Sequence, residues 1–238
     1  MPKPLIPLPS VPMRKHAPAR AFSGGRVDGS SANGVAQVEI YGDIGLEGVH
    51  SANVRQWLAG LSTGGDVELT LNSGGGDVFE GIAIYNDLAG LPGRVTVRVT
   101  GLAASAASLV AMAGDRIILA ENAMMMLHNA WMIAEGDRRV FAEISSTLEK
   151  ADENMAATYA ARSGLPVDRV RAMMDAETWL SPREAVELGF ADEVQPIAPR
   201  GAHAGSDALR VTGQWRPRGR SEAFLQELRA ARTAGRRE

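Results

Sequence analysis

Ser105 stands in the octet Gly101-Leu102-Ala103-Ala104-Ser105-Ala106-Ala107-Ser108, between a strand-like segment and a helix-like one. A serine on such a turn can hold its hydroxyl outward. The positive end of the helix and the next backbone N–H then favour a developing oxyanion. Ala and Gly neighbours let a substrate backbone come close. The competing reading is tight helix packing, with Ser105 a satisfied core hydroxyl, and the octet alone does not separate the two. A second loop, Asn72-Ser73-Gly74-Gly75-Gly76-Asp77, has three consecutive glycines whose amides suit an anion or a peptide. It lacks the lysine and spacing of a P-loop and the dinucleotide-binding fingerprint, and a plain strand-to-helix turn would look the same.

Of the four histidines, His16 and His203 lie near the chain ends and His50 reads as a surface residue beside a helix start. His128 closes the apolar run Met124-Met125-Met126-Leu127, where a polar ring at the end of a buried strand needs a partner, structural or catalytic. Asp175 and Glu177 precede Thr178-Trp179-Leu180-Ser181, and either acid could orient an imidazole as the third member of a triad. As isolated loop acids they would instead be helix caps or solvated groups. Cysteine is absent, which removes disulfides, thiolate zinc sites and a cysteine nucleophile. Only Lys3, Lys15 and Lys150 occur, which disfavours a Ser-Lys dyad. No His-x-x-x-His or Asp-x-Asp-x-Asp pattern is present, so neither a metal site nor a cofactor is expected.

The elements that must carry these groups alternate. Strands are expected at Val38–Tyr41, Val67–Leu71, Val95–Val99, Arg116–Ala120 and Ala123–Leu127, and helices near residues 50–61 and 78–88. A long helix is expected over about 138–162, with apolar Val140, Ile144, Leu148, Ala151 and Met155 separated by charges that suit an exposed or partner-facing surface. Short helices follow at 167–174 and 182–188, around an extended Glu177–Leu180. Such alternation argues an α/β fold with a largely parallel sheet.

The chain has 238 residues, 45% hydrophobic and 22% charged, enough for a sizeable core and too apolar for general disorder. Its net charge of −3 hides a segregation. Residues 1–33 carry five Lys/Arg and one acid, residues 198–238 carry nine arginines and four acids, and the remainder therefore holds −12. A uniformly basic nucleic-acid binder is disfavoured. The expected organisation is a flexible Pro/Arg-rich N-terminal arm (1–33), a globular domain (34–197) and a basic, largely flexible tail (198–238) with a terminal helix near 221–234. No signal peptide or membrane span is read: the longest uncharged run, Val99–Gly114, is shorter than the roughly 20 residues a spanning helix needs. A cytoplasmic protein is expected.

Four segments taken in order, Asn72–Gly76, Gly101–Ser105, Met126–Asn129, and Trp179–Ala185 running into Leu188–Asp192, resemble the proteolytic subunit of the Clp protease family over about residues 36–195. The resemblance implies a Clp-protease/crotonase-like fold of stacked ββα units with a long protruding handle helix. It implies a serine-type endopeptidase, with Ser105 as nucleophile and His128 as general base. The N–H groups of Gly75 and Ala106 would form the oxyanion hole. The third triad position falls on Glu177, where the family usually has aspartate; Asp175, two residues earlier, is the fallback. A homo-oligomeric ring, a protein substrate and an ATPase partner are further implications.

Two departures point within the family. After His128 the family's housekeeping members carry a proline and a Gly-Gly pair, whereas this chain reads Asn129-Ala130-Trp131-Met132-Ile133-Ala134-Glu135-Gly136. The Pro-rich arm and Arg-rich tail are also unlike the housekeeping ends. Both features are similar to Clp-like peptidases of tailed phages and prophages, which process capsid or scaffold proteins during head maturation. The rival readings are a host-type subunit that degrades unfolded proteins with an ATPase, a crotonase-type enzyme acting on acyl-CoA, and a catalytically degenerate structural subunit.

Overall fold

In the computed structural model of the protein, the described residues are 26–32, 35–45, 47–59 and 65–197. The expectations for residues 1–25, for the basic tail with its 221–234 helix, and for His16 and His203 lie outside them. β1 (Arg26–Ala32) pairs antiparallel with β2 (Val35–Tyr41), from Arg26 opposite Tyr41 to Ala32 opposite Val35. By composition residues 26–32 belong to the N-terminal arm. They form an edge strand instead, held by backbone pairing, which a segment as small and polar as Arg26–Ala32 does not advertise.

The sheet then grows in parallel. α1 (Ser51–Ala59) leads to β3 (Asp66–Ser73), α2 (Val78–Ala89) leads to β4 (Val95–Ala104), and β5 (Arg116–Ala120) follows the short α3 (Ala106–Ala111). Alternate residues of β2, β3 and β4, among them Val38, Leu69, Leu71, Val97 and Val99, are fully or almost fully buried in the core, as are the consecutive Ile117, Ile118 and Leu119 of β5. Period-two alternation in sequence is therefore read out as one buried face and one partly exposed polar face, along which Gln37, Glu68 and Arg98 bond to one another. β6 (Met124–Leu127), α4 (Arg138–Ser163), α5 (Val167–Asp175), β7 (Thr178–Leu180), α6 (Pro182–Glu187) and β8 (Glu193–Gln195) complete the described chain. The strand order is β1-β2-β3-β4-β5-β8, with β6 pairing β4 and β7 off this path. The fold is mixed α/β with a largely parallel sheet, only β1–β2 and β6–β7 pairing antiparallel among the described residues.

β4 is the strand that matters most. Its residues Thr96–Val99 pair with β5, and Leu102–Ala104 pair with β6. From its sequence this strand is expected to end at Val99, because Gly-Leu-Ala-Ala reads as the beginning of a helix. The strand runs five residues further because a new neighbour, β6, takes over the pairing. At that fork the chain turns through Ser105 into α3, all six residues of which are buried.

α4 spans 26 residues, capped by Asp137, which accepts from the Arg139 and Val140 N–H groups, and closed by Gly164 in the left-handed region. Its buried residues, Ala151, Met155, Ala156, Tyr159 and Ala160, all lie in its second half. In the first half Val140 and Phe141 are exposed, and the apolar stripe continues off the core. Among the described residues no helix is long and apolar enough to cross a membrane.

Candidate active site

Ser105 has φ 55° and ψ −128°, an unfavourable conformation for any residue but glycine. Three contacts impose it. The Ser105 N–H donates to the Met126 carbonyl at 3.0 Å, tying the turn to β6. Its carbonyl accepts the Ser108 N–H at 2.9 Å and the Ser108 hydroxyl at 2.7 Å. The parallel register that sets Ala104 beside Met126 also brings the residue just past β6 next to the turn. His128 Nε2 lies 2.7 Å from Ser105 Oγ, a strong hydrogen bond between two partly buried groups.

On the other side of the ring, His128 Nδ1 is 3.8 Å from Glu177 Oε2. That is ion-pair distance, longer than a hydrogen bond. A carboxylate on the Nδ1 side favours a proton there and leaves Nε2 to accept from the serine. Glu177 is delivered by β7, which pairs antiparallel with β6 so that Leu127 faces Thr178. It sits just past the end of α5, its N–H donating to the Met174 carbonyl at 3.0 Å, with φ 50°. Holding a non-glycine residue there costs about 1–2 kcal/mol. Asp175 is placed differently: it is exposed, and its Oδ1 accepts from Asn129 Nδ2 at 2.8 Å. The structure thus brings Ser105, His128 and Glu177 together, and engages Asp175 with the residue after the histidine.

The glycine loop lies against the same turn. A Cβ on Gly75 would fall 2.5 Å from the Ala104 carbonyl oxygen, 2.7 Å from Ser105 Cβ and 2.9 Å from the Ala106 nitrogen, and φ there is +93°. Only glycine permits this approach. The loop is fastened by Ile44, whose N–H donates to the Gly75 carbonyl at 2.8 Å, and by Asp77, which caps α2. The Gly75 N–H itself donates to the buried Ser73 hydroxyl at 3.1 Å, and Ala106 opens α3 directly after Ser105. His50 stands apart at the start of α1, where it contacts Glu80 at 3.3 Å.

Sequence reasoning missed Asp152. From α4 its Oδ1 accepts the Ala130 N–H at 2.6 Å, pinning the segment that follows His128. Burial pushes its carboxyl above the ordinary carboxylate range and the charge of Asp175 adds to this, while the Ala130 N–H pulls the other way. The only signal in the sequence was its place one residue after the buried Ala151. A cleft of about 840 Å³ opens here, lined by Asn129, Ala130, Met132, Ile133, Phe141, Ile144 and Leu148 together with Asp152 and Asp175. Among the described residues no group of three or more potential ligands could hold a metal ion.

Such a set can do acyl transfer: a hydroxyl on a base, a carboxylate behind the base, and backbone amides beside the hydroxyl. The family model for Clp protease matches residues 48–197, more than half of the chain. The ATP-dependent Clp protease proteolytic subunit of Bacteroides fragilis is 29% identical over 151 residues, covering 61% of this chain and 73% of the relative. The subunit of the same name from Porphyromonas gingivalis is 25% identical over 175 residues, covering 67% and 79%. That from Chlorella vulgaris is 32% identical over 126 residues, covering 52% and 63%.

Proposed function

This chain belongs to the Clp protease family, and on that premise we propose that it is a serine endopeptidase with Ser105 as nucleophile, His128 as base and Glu177 as the acid behind it. The observation that carries the reading is the 2.7 Å bond between His128 Nε2 and Ser105 Oγ. His128 takes the serine proton as Oγ attacks a peptide carbonyl carbon. The carbonyl oxygen becomes an oxyanion, met by the Ala106 N–H and by the Gly75 N–H, which leaves its long 3.1 Å bond to Ser73 to do so. His128 then hands its proton to the leaving amine as the C–N bond breaks. Water, activated by the same imidazole, hydrolyses the acyl-enzyme and restores Ser105. Glu177 stabilises the imidazolium formed in both steps. One oxyanion donor is worth about 3 kcal/mol of transition-state stabilisation in such sites.

Within the family the reading is a phage or prophage head-maturation peptidase with a capsid or scaffold protein as substrate. It rests on the Pro-rich arm, the Arg-rich tail and the segment 129–136. A homo-oligomeric ring is part of the proposal, supported by exposed Trp131, Ile133 and Phe141, which are 51%, 90% and 50% accessible in the single chain. A second reading, a host-type subunit working with an ATPase, is favoured by the relatives, whose names all carry "ATP-dependent". Co-expression with the candidate capsid protein tests the first reading. Wild type is expected to cleave it and Ser105→Ala to leave it intact. Equal cleavage by both would remove the serine-peptidase claim, and recovery of an ATPase complex without capsid cleavage would favour the second reading.

A further inference from the structure

Two buried hydroxyls lie behind the Ser105 turn, and the catalytic steps above use neither. Ser108 and Tyr159 are both 0% accessible. Ser108 Oγ donates to the Ser105 carbonyl at 2.7 Å and lies 2.8 Å from the Tyr159 hydroxyl oxygen. A hydroxyl has one proton. With the Ser108 proton committed to Ser105, the contact with tyrosine is closed by the tyrosine proton. The bonds therefore run in one direction, from Tyr159 to Ser108 to the Ser105 carbonyl. Tyr159 comes from α4, its ring held edge-on against Phe190 with centroids 6.1 Å apart. Burial raises its phenol further above the ordinary value, so the proton stays on.

The Ser105 carbonyl and the Ala106 N–H are the two ends of one peptide group. A hydrogen bond accepted at the oxygen draws density from the nitrogen and strengthens the N–H as a donor. It also fixes the plane of a peptide whose preceding residue has φ 55°, a conformation the surroundings must impose. The Ser108 and Leu109 N–H groups, at 2.9 and 3.3 Å, are what any first helical turn supplies to that carbonyl. The hydroxyl pair is the addition.

We propose that Ser108 and Tyr159 are positioning residues for the oxyanion site: their hydroxyl relay orients and polarises the Ser105–Ala106 peptide so that its N–H stabilises the tetrahedral intermediate. The inference rests on the serine-peptidase reading with Ala106 as a donor. A pair that only filled the core would affect stability and substrate or transition state alike. A positioning pair affects the tetrahedral state selectively.

The test is Ser108→Ala/Tyr159→Phe, which removes both hydroxyls together and leaves no buried group unpaired. Two probes are used: a fluorogenic peptidyl aminomethylcoumarin for kcat and KM, and a peptide boronic acid, whose boron forms a tetrahedral adduct on a serine hydroxyl. A donor of this kind is worth about 10²–10³ in rate, and losing one bond of a chain weakens the next by about 10–30%. The expected loss is therefore about two- to eightfold, in kcat and in boronate affinity together, with KM unchanged. Unchanged kcat and boronate affinity in the folded double variant would overturn the inference, as would a loss confined to KM. Ser108→Cys, similar in size with a weaker donor, is expected to show a smaller loss of the same pattern and decides the matter if the double variant does not fold. Ser105→Ala separates the two levels. If it turns over the peptide like the parent, the serine-peptidase reading falls and takes this inference with it. If it is inactive while the double variant equals the parent, only the relay fails.

Discussion

Glu177→Gln isolates the charge behind the imidazole, because glutamine keeps the length, the shape and one carbonyl oxygen of the side chain. Two unit charges about 4 Å apart interact by about 1 kcal/mol in water and about 4 kcal/mol at an effective dielectric constant of about 20. His128 Nδ1 and Glu177 Oε2 are 3.8 Å apart, with side chains 16% and 31% accessible, so solvent screens the pair in part. An intermediate value of about 2 kcal/mol corresponds to about a 30-fold loss in kcat/KM. That is well short of the ~10⁴-fold loss when a buried, hydrogen-bonded triad aspartate becomes asparagine. The difference follows from a contact longer than a hydrogen bond. The assay is kcat/KM on a fluorogenic peptide, together with the rate of labelling by a fluorophosphonate, which needs the same activated serine. Asp175→Asn is the control. That carboxylate is exposed and bound to Asn129, and its loss is expected to stay within about fivefold. A Glu177→Gln variant within twofold of the parent, or a larger loss at Asp175→Asn, would refute the reasoning and move the acid's role.

Gly75→Ala puts a methyl 2.5 Å from the Ala104 carbonyl oxygen at φ +93°, overlaps that only backbone movement relieves. The loop should draw away from Ser105, costing about 10²–10³ in kcat with a lower melting temperature. Kinetics and a thermal melt check it, and parent-like kcat would exclude Gly75 from the oxyanion site. Asp152 has its folded-state value raised by burial and by Asp175, so the ionised carboxylate costs stability at neutral pH and the cost fades as pH falls through the raised value. Asp152→Asn, still able to accept the Ala130 N–H, is expected to melt above the parent at neutral pH and to converge with it on acidification; a constant offset would contradict this. Asp77→Ala removes the cap that accepts from the Phe79 and Glu80 N–H groups at 2.8 and 3.0 Å. It should cost about 1 kcal/mol, or about 2–4 °C in melting temperature, read by calorimetry.

Much of the scaffold could be read from local pattern, because alternation in Val67–Leu71 and Val95–Val99 reports burial directly and the periodicity after Arg138 reports a helix. Local pattern made Ser105, His128 and the acids Asp175 and Glu177 candidates without deciding their roles, which came from the resemblance of four segments in order. What stayed hidden depends on neighbours distant in sequence. β1 has no alternation of its own and exists because β2 offers an edge. The last residues of β4 look helical until β6 pairs with them. Ser108 and Tyr159 are 51 residues apart, and nothing local marks either hydroxyl as one end of a buried bond. The apolar stripe of α4 is legible as a stripe, but its division into a buried second half and an exposed first half is set by where the core ends.

The central claim is that Ser105 is a nucleophile activated by His128, and mass spectrometry of the fluorophosphonate-treated protein addresses it most directly. One adduct per chain is expected, mapping to Ser105, absent in Ser105→Ala and strongly slowed in His128→Ala. A folded protein that takes up no reagent, or carries it on another residue with Ser105 unmodified, would contradict the account.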